Sequence, residues 1–240
     1  EELFEKIDKA KELREKALEE TEEIFNLEIE KIFKKVKNKW GEKKLVEVCY
    51  INPSKNEIKN LPDNLEVSFI PMTAVDEKTG SIIVQKRKLL GEVKKGYTYF
   101  RENDVIFAKI TPCMENGKSA IARNLINGIG FGSTEFHVLR PLKEVLPEWI
   151  HIYIRQPFFR EEAQKHFTGT VGQQRVPQEF LEETTIPLPP LSEQKRIVAY
   201  LDNLREKVER LKRLQEEQLK DLEELKKSIL EKAFQGELVK

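Results

Sequence analysis

The alternation of apolar and polar positions divides the chain into three stretches. Residues 2–37 contain neither Gly nor Pro and are rich in Glu, Lys, Leu and Ile, a composition that favours one long helix. Leu3, Ile7, Ala10, Ala17, Ile24, Phe25 and Ile32 form an uneven apolar stripe along it, and Trp40-Gly41 is its expected end. Residues 191–240 are more regular. Ile197, Leu204, Leu211 and Leu225 share one seven-residue spacing, with Gln218 filling the gap. Leu201, Val208, Leu222 and Ile229 share a second, with Gln215 filling the gap. A heptad seam of this kind belongs to a helix packed lengthwise on another. Pro189-Pro190, then Ser192 as N-cap with Glu193 in the first turn, predict its start. Gly236 predicts its stop. At 1.5 Å per residue the helix is roughly 60 Å long, too long to bury in a small globule. It therefore needs a partner: residues 2–37 folded back antiparallel, or a helix of a second copy.

The middle of the chain has a different rhythm. LVEVCYI (45–51), EVSFIPM (66–72), SIIVQ (81–85), DVIFAKI (104–110) and TEFHVL (134–139) are β-branched or aromatic runs separated by Asn, Pro, Gly and Asp, the pattern of short strands. Helices are expected over 148–154, 157–167 and 177–183. Strands first and helices after them predict an α+β globular domain, here 39–190, flanked by the long helices 1–38 and 191–240.

Composition narrows the classes. The 240 residues are 35% charged and 39% hydrophobic, and 42 basic side chains balance 42 acidic ones. The three stretches carry −3, +2 and +1, so no segment declares a nucleic-acid partner by net charge, although such a sum hides local patches. No apolar run reaches membrane-spanning length and no signal peptide is visible, so a cytoplasmic setting is expected. The absence of an initiator Met suggests a fragment or missing first residues. Cys49 and Cys113 stand far apart without a CxxC, which supports neither a disulfide framework nor a zinc knuckle. His137, His151 and His166 are scattered, and His137, on an alternating strand, reads as a hydrogen-bonded structural residue. No catalytic, P-loop or dinucleotide motif is present, so no catalytic residue, metal or cofactor is assigned.

What remains is a set of glycine-bearing polar loops. KITPCMENGK (109–118) carries Lys109, Thr111, Asn116 and Lys118. FTGTVGQQRV (167–176) carries Thr168, Thr170, Gln173, Gln174 and Arg175. QKRK (85–88) and VKK (93–95) add basic clusters. Hydroxyls, amides and glycine backbones suit phosphate contacts, while Arg and Gln suit guanine and adenine edges. The same residues also suit ordinary turns. The run GIGFG (128–132), three glycines directly before a strand, marks either a tight structural turn or a surface that approaches something large.

The order DVIFAKITPCMENGKSAIA, GIGFGSTEFHVLRP, TGTVGQQRV, IPLPPLSEQKRIVAYLD and LKKSILEKAFQGELV resembles the target recognition domain and following helix of a type I restriction–modification specificity (S) subunit. The resemblance covers nearly the whole chain. It implies a non-catalytic subunit whose recognition domains each read half of a split double-stranded DNA target. Two long helices forming an antiparallel coiled coil would space those domains. Methylation (M) subunits would dock on this frame and a restriction (R) subunit would join through them. S-adenosylmethionine and ATP would belong to the other subunits, leaving this chain without a cofactor. Ser133 and Thr134 become candidate phosphate contacts, and Gly128, Gly130 and Gly132 would shape a loop near the DNA backbone or serve a purely structural role. Only one recognition domain is present, so the chain is half of a longer S subunit or a natural half-length one, pairing as a homodimer or with a second half. Two rivals are the recognition domain of a fused restriction–methylation enzyme and a coiled-coil scaffold that binds protein.

Overall fold

The computed structural model describes residues 2–170 and 172–235. The predicted helix stop at Gly236 lies outside the described residues. In chain order the elements are α1 (Glu2–Trp40), β1 (Glu42–Lys44), α2 (Leu45–Val48), β2 (Cys49–Ile51), β3 (Glu66–Ile70), β4 (Val75–Asp76), β5 (Ser81–Ile82), β6 (Lys86–Leu89), α3 (Leu90–Val93), β7 (Thr98–Arg101), β8 (Val105–Ala108), β9 (Ser119–Ile121), β10 (Ile129–Gly132), β11 (Phe136–Pro141), α4 (Pro147–Ile154), α5 (Pro157–Lys165), α6 (Gln178–Glu183), β12 (Thr185–Pro187) and α7 (Leu191–Phe234). They divide into two compact units: Phe33–Val198, and the described residues of Glu1–Ile32 with Ala199–Lys240.

The helical unit is an antiparallel pair. Lys11 meets Glu223 at 2.9 Å, Thr21 meets Gln215, and Glu22 meets Arg205 at 2.9 Å, so positions rise along α1 as they fall along α7. Half of the expected seam faces α1: Leu201, Val208 and Gln215 are buried, and Leu222 and Ile229 are half-buried. The other half keeps its expected place only at the start, where Ile197 is buried and Leu204 half-buried, and is displaced by one residue further on. Leu211 and Leu225 are 45% and 48% exposed and Gln218 is exposed, while Arg205, Lys212, Leu219 and Lys226 turn inward. The displaced cations have partners on α1 that leucines could not satisfy. Arg205 pairs with Glu22 and covers the Phe25 ring at 3.9 Å. Lys212 also pairs with Glu22, and Lys226 pairs with Asp8. Burial works against the Glu22 charge, but hydrogen bonds from Lys212 and Arg205 outweigh it and hold the carboxyl below its ordinary range. The stripe expected on α1 is likewise only partly used: Ile7 and Phe25 are buried, whereas Leu3 and Ile24 are 50% and 66% exposed.

α1 ends as its sequence predicts. Gly41 adopts φ +79° and its N–H returns to the Lys37 carbonyl at 2.8 Å, a left-handed cap that glycine takes without a Cβ penalty. α7 begins at Leu191, ahead of the expected Ser192 cap. Its start is held by Gln194, fully buried, whose amide oxygen accepts from Leu146 N–H at 2.9 Å. The Gln194 amide nitrogen donates to the carbonyls of Glu144 and Pro189 at 2.9 and 2.8 Å.

The globular unit is built on two four-stranded sheets, ordered β6-β3-β10-β7 and β2-β11-β8-β9. All pairs within them are antiparallel except β3–β10. Ile70, Phe100, Ile106, Phe136 and Val138, drawn from both sheets, share one core cluster. Arg140 on β11 is 5% exposed and its Nε and Nη2 each donate to buried Asp104 at 2.8 Å, so this interior charge is paired and hydrogen-bonded. α4 packs through Trp149, whose ring lies 4.7 Å from Phe33 and whose indole N–H donates to the Pro187 carbonyl.

Three segments differ from expectation. Of SIIVQ (81–85) only Ser81–Ile82 is strand. Residues 45–51 form a helical turn followed by a three-residue strand, because Leu45 and Val48 point together into the core at helical spacing. GIGFG does not form a loop. Ile129–Gly132 is an interior strand between β3 and β7, buried throughout. A Cβ on Gly130 would lie 2.2 Å from the Phe100 ring, and one on Gly132 would lie 2.4 Å from the Ile70 carbonyl oxygen. Only Gly128, at φ +70° with nothing within 4 Å, serves a turn.

Gly130→Ala is therefore expected to cost about 3 kcal/mol through overpacking, and Gly128→Ala about 1 kcal/mol through its left-handed backbone. Urea denaturation checks the order. Equal midpoints for the two variants would contradict this packing.

Candidate nucleic-acid interface

Three loops that are far apart in sequence meet at one edge of the globular unit. The loop after β8 is tied to the turn before β11 by Lys109 N–H to the Glu135 carbonyl at 2.9 Å. It is tied to the loop before α6 by Val176 N–H to the Lys109 carbonyl and Thr111 N–H to the Gln174 carbonyl, both at 2.9 Å. The third loop closes on itself through reciprocal Thr168–Arg175 backbone bonds of 3.0 and 2.9 Å. Gly169 and Gly172 supply its left-handed corners at φ +104° and +85°.

The structure thus brings together Lys109, Ser133, Thr134, Thr168, Gln173, Gln174 and Arg175. Thr134, Thr168, Thr170 and Gln173 are exposed, and Lys109, Lys118, Gln174 and Arg175 are half-buried. Asn116 and Lys118 stand at the far end of the first loop, where it returns to β9; Asn116 is exposed and donates to Glu77 at 3.4 Å. Two candidates are changed by their surroundings. The Thr111 hydroxyl is buried without a hydrogen-bond partner, so it is turned away from any surface ligand. The Ser133 hydroxyl is engaged in its own turn, accepting the Glu135 N–H at 3.2 Å. The basic clusters are largely neutralised at the surface: Arg87 pairs with Glu66, Lys88 with Glu92 and Lys94 with Asp63.

Residues without an obvious motif hold these loops in place. His137 on β11 is buried, as its alternating strand predicts. Its Nε2 donates to the Val176 carbonyl at 2.8 Å and its Nδ1 accepts from the Asn52 amide at 3.1 Å, which defines the neutral tautomer. Desolvation lowers its pKa to about 4, and that of half-buried His151, beside Ser119, to about 3. Arg160 donates to the Glu115 carbonyl at 2.6 Å and Arg155 to the Gly117 carbonyl at 3.2 Å, so the first loop rests on two guanidinium groups. Glu135, unnoticed in sequence, receives Arg175 through both carboxylate oxygens at 2.8 Å. The one available signal was its place inside the STEF run. Among the described residues no group of three ligating side chains could hold a metal. No helix among them is long and apolar enough to cross a membrane.

A chain solved in work on complex assembly and conformational transition of the type I R-M system superposes with a TM-score of 0.72 at 23% identity, over 98% of this chain and 57% of that one. The HsdS subunit from Thermoanaerobacter tengcongensis superposes with a TM-score of 0.58 at 25% identity, over 98% and 56%. By fold, then, the chain is built like a type I specificity subunit: a mixed α/β domain with two long helices packed together. The type I restriction modification DNA specificity domain model matches residues 37–221, and the chain belongs to that family. It is 42% identical over 161 residues to the EcoEI specificity subunit of Escherichia coli, covering 67% of this chain and 27% of that protein. It is 41% identical over 160 residues to the EcoAI specificity subunit of the same species, covering 66% and 27%. The chain spans about a quarter of the length of these relatives.

Both histidines take the proton less readily in the folded state than in the unfolded state, where the ordinary value is 6.5. As pH falls, the unfolded state binds protons first. The stability present above about pH 6.5 is therefore lost progressively as pH falls, down to about 4 for His137 and about 3 for His151. His137→Gln is expected to flatten that part of the curve in urea midpoints measured against pH.

Proposed function

We propose that this chain is a non-catalytic DNA-specificity subunit of a type I restriction–modification complex, reading one half of a bipartite double-stranded target. The observation that carries this reading is the convergence of three polar loops on one edge of a domain that belongs to the specificity family. Residues 39–190 are the recognition domain. Residues 1–38 and 191–240 are the conserved helices on which methylation subunits dock, and a restriction subunit joins through them. The complex works on DNA in the cytoplasm, and the methyl donor and ATP belong to its other subunits.

Lys109 and Lys118 are the phosphate contacts, with Thr134, Thr168 and Thr170 as hydroxyl donors beside them. Asn116, Gln173 and Gln174 are the amides that face the duplex. Lys118→Ala is expected to weaken binding to every sequence and to lower the salt slope by about one unit, read by mobility shift with the methylation subunit present. An unchanged slope removes Lys118 from the contact set. A scaffold that binds protein alone gives no sequence-selective shift in the same assay.

A split target needs a second recognition domain, from another copy or from another half. The exposed leucines of α7, Leu211, Leu214 and Leu225, support pairing through the helices. Sedimentation of the 28.1 kDa chain is expected to show a dimer at micromolar concentration. Leu211→Glu with Leu225→Glu returns it to monomer without a change in helical circular dichroism, because neither leucine faces α1. A wild-type monomer rules out the homodimer.

A further inference from the structure

Arg175 has most of its donors committed inside the protein. A guanidinium carries five N–H donors in one rigid plane. Nε donates to Glu135 Oε2 and Nη2 to Glu135 Oε1, each at 2.8 Å, and Nη1 donates to the Gln173 carbonyl at 2.9 Å. That leaves one N–H on Nη1 and one on Nη2, two neighbouring donors on a side chain that is 39% exposed.

Both ends of the ion pair are held by backbone. Glu135 sits in the turn that leads into β11, with its N–H on the Ser133 hydroxyl and its carbonyl on Lys109 N–H. Arg175 is fixed by its double backbone pairing with Thr168 and by the neighbouring bond from His137 to Val176. A side chain held this way has little conformational entropy left to lose on binding.

The charge state decides what such a group can recognise. A phosphate draws mainly on net positive charge, and Arg175 with Glu135 has none. A base edge is neutral and asks instead for directed donors. In the major groove, guanine presents N7 and O6 as adjacent acceptors, which two parallel guanidinium N–H groups match. We propose that Glu135 is a positioning residue that orients Arg175 to read the N7/O6 edge of a guanine in the target. The Arg175 hydrogen bonds hold the Glu135 carboxyl below its ordinary range, so the pair stays ionised at neutral pH. This assignment rests on the recognition reading above, and it deepens it by naming a base and two residues.

Selection from a randomised duplex library, using the full chain with its methylation subunit, tests it. The wild type is expected to select a motif that contains guanine. Glu135→Gln and Arg175→Lys are expected to lose preference at one and the same G·C position by about tenfold or more, and Arg175→Lys, which conserves the net charge, is expected to leave affinity for unrelated duplexes and the salt slope unchanged. Replacing that guanine by 7-deazaguanine should reproduce the loss in the wild type and add nothing to Arg175→Lys. If Arg175→Lys keeps full selectivity while Arg175→Ala weakens all duplexes equally and lowers the salt slope, Arg175 is a phosphate contact and the assignment is overturned. The analogue leaves the protein untouched, so wild-type indifference to 7-deazaguanine at every guanine overturns it even if a variant misfolds. Selection of no motif at all removes the recognition reading and this assignment together.

Discussion

The globular unit depends on a strand that tolerates no side chain at two of its positions. Gly130 lies under the Phe100 ring and Gly132 against the Ile70 carbonyl and the Phe136 ring, so β10 lets neighbouring strands and the second sheet approach at backbone distance. From Gly132 the chain passes through Ser133, Thr134 and Glu135 directly into β11 of the other sheet. The tight packing of β10 therefore fixes where that turn emerges. The turn fixes Glu135, and Glu135 with His137 fixes the loop that carries Arg175. The candidate interface is polar and glycine-bearing, yet its geometry is set from the interior.

Electrostatics across the same unit follow one rule. Interior charge is paired, as in Arg140 with Asp104, or kept neutral, as in His137. The surface cations of 85–95 are largely balanced by nearby acids. Net charge is consequently a poor guide to the candidate interface. What distinguishes the loop edge is directed, preorganised hydrogen-bonding groups on a rigid frame, and not an excess of lysine.

The helical unit solves a different problem. Its seam mixes leucine and valine with Gln215, Thr21 and three inward cations. A purely apolar seam fits many registers almost equally well. Fixed partners such as Glu22 for Arg205 and Lys212, and Asp8 for Lys226, single out one antiparallel alignment at some cost in burial.

Local periodicity determined much of this in the sequence alone. The two long helices, the α+β middle, the end of α1 at Gly41 and the polar loops each rest on signals carried within a few residues, which local backbone preferences express directly. The inward row Leu201, Val208, Gln215, Leu222 and Ile229 was legible for the same reason. The companion row was legible only at Ile197 and Leu204: Leu211 and Leu225 are adjacent on the helix to Lys212 and Lys226, and only the acids opposite on α1 decide which set turns inward. The glycines of β10 looked like a loop because nothing local shows that Phe100 and Ile70 come to lie against them. Arg175 looked free because Glu135 is 40 residues away in the chain. These outcomes depend on which distant groups meet, and that is settled by packing and charge pairing in three dimensions, beyond the reach of any local pattern.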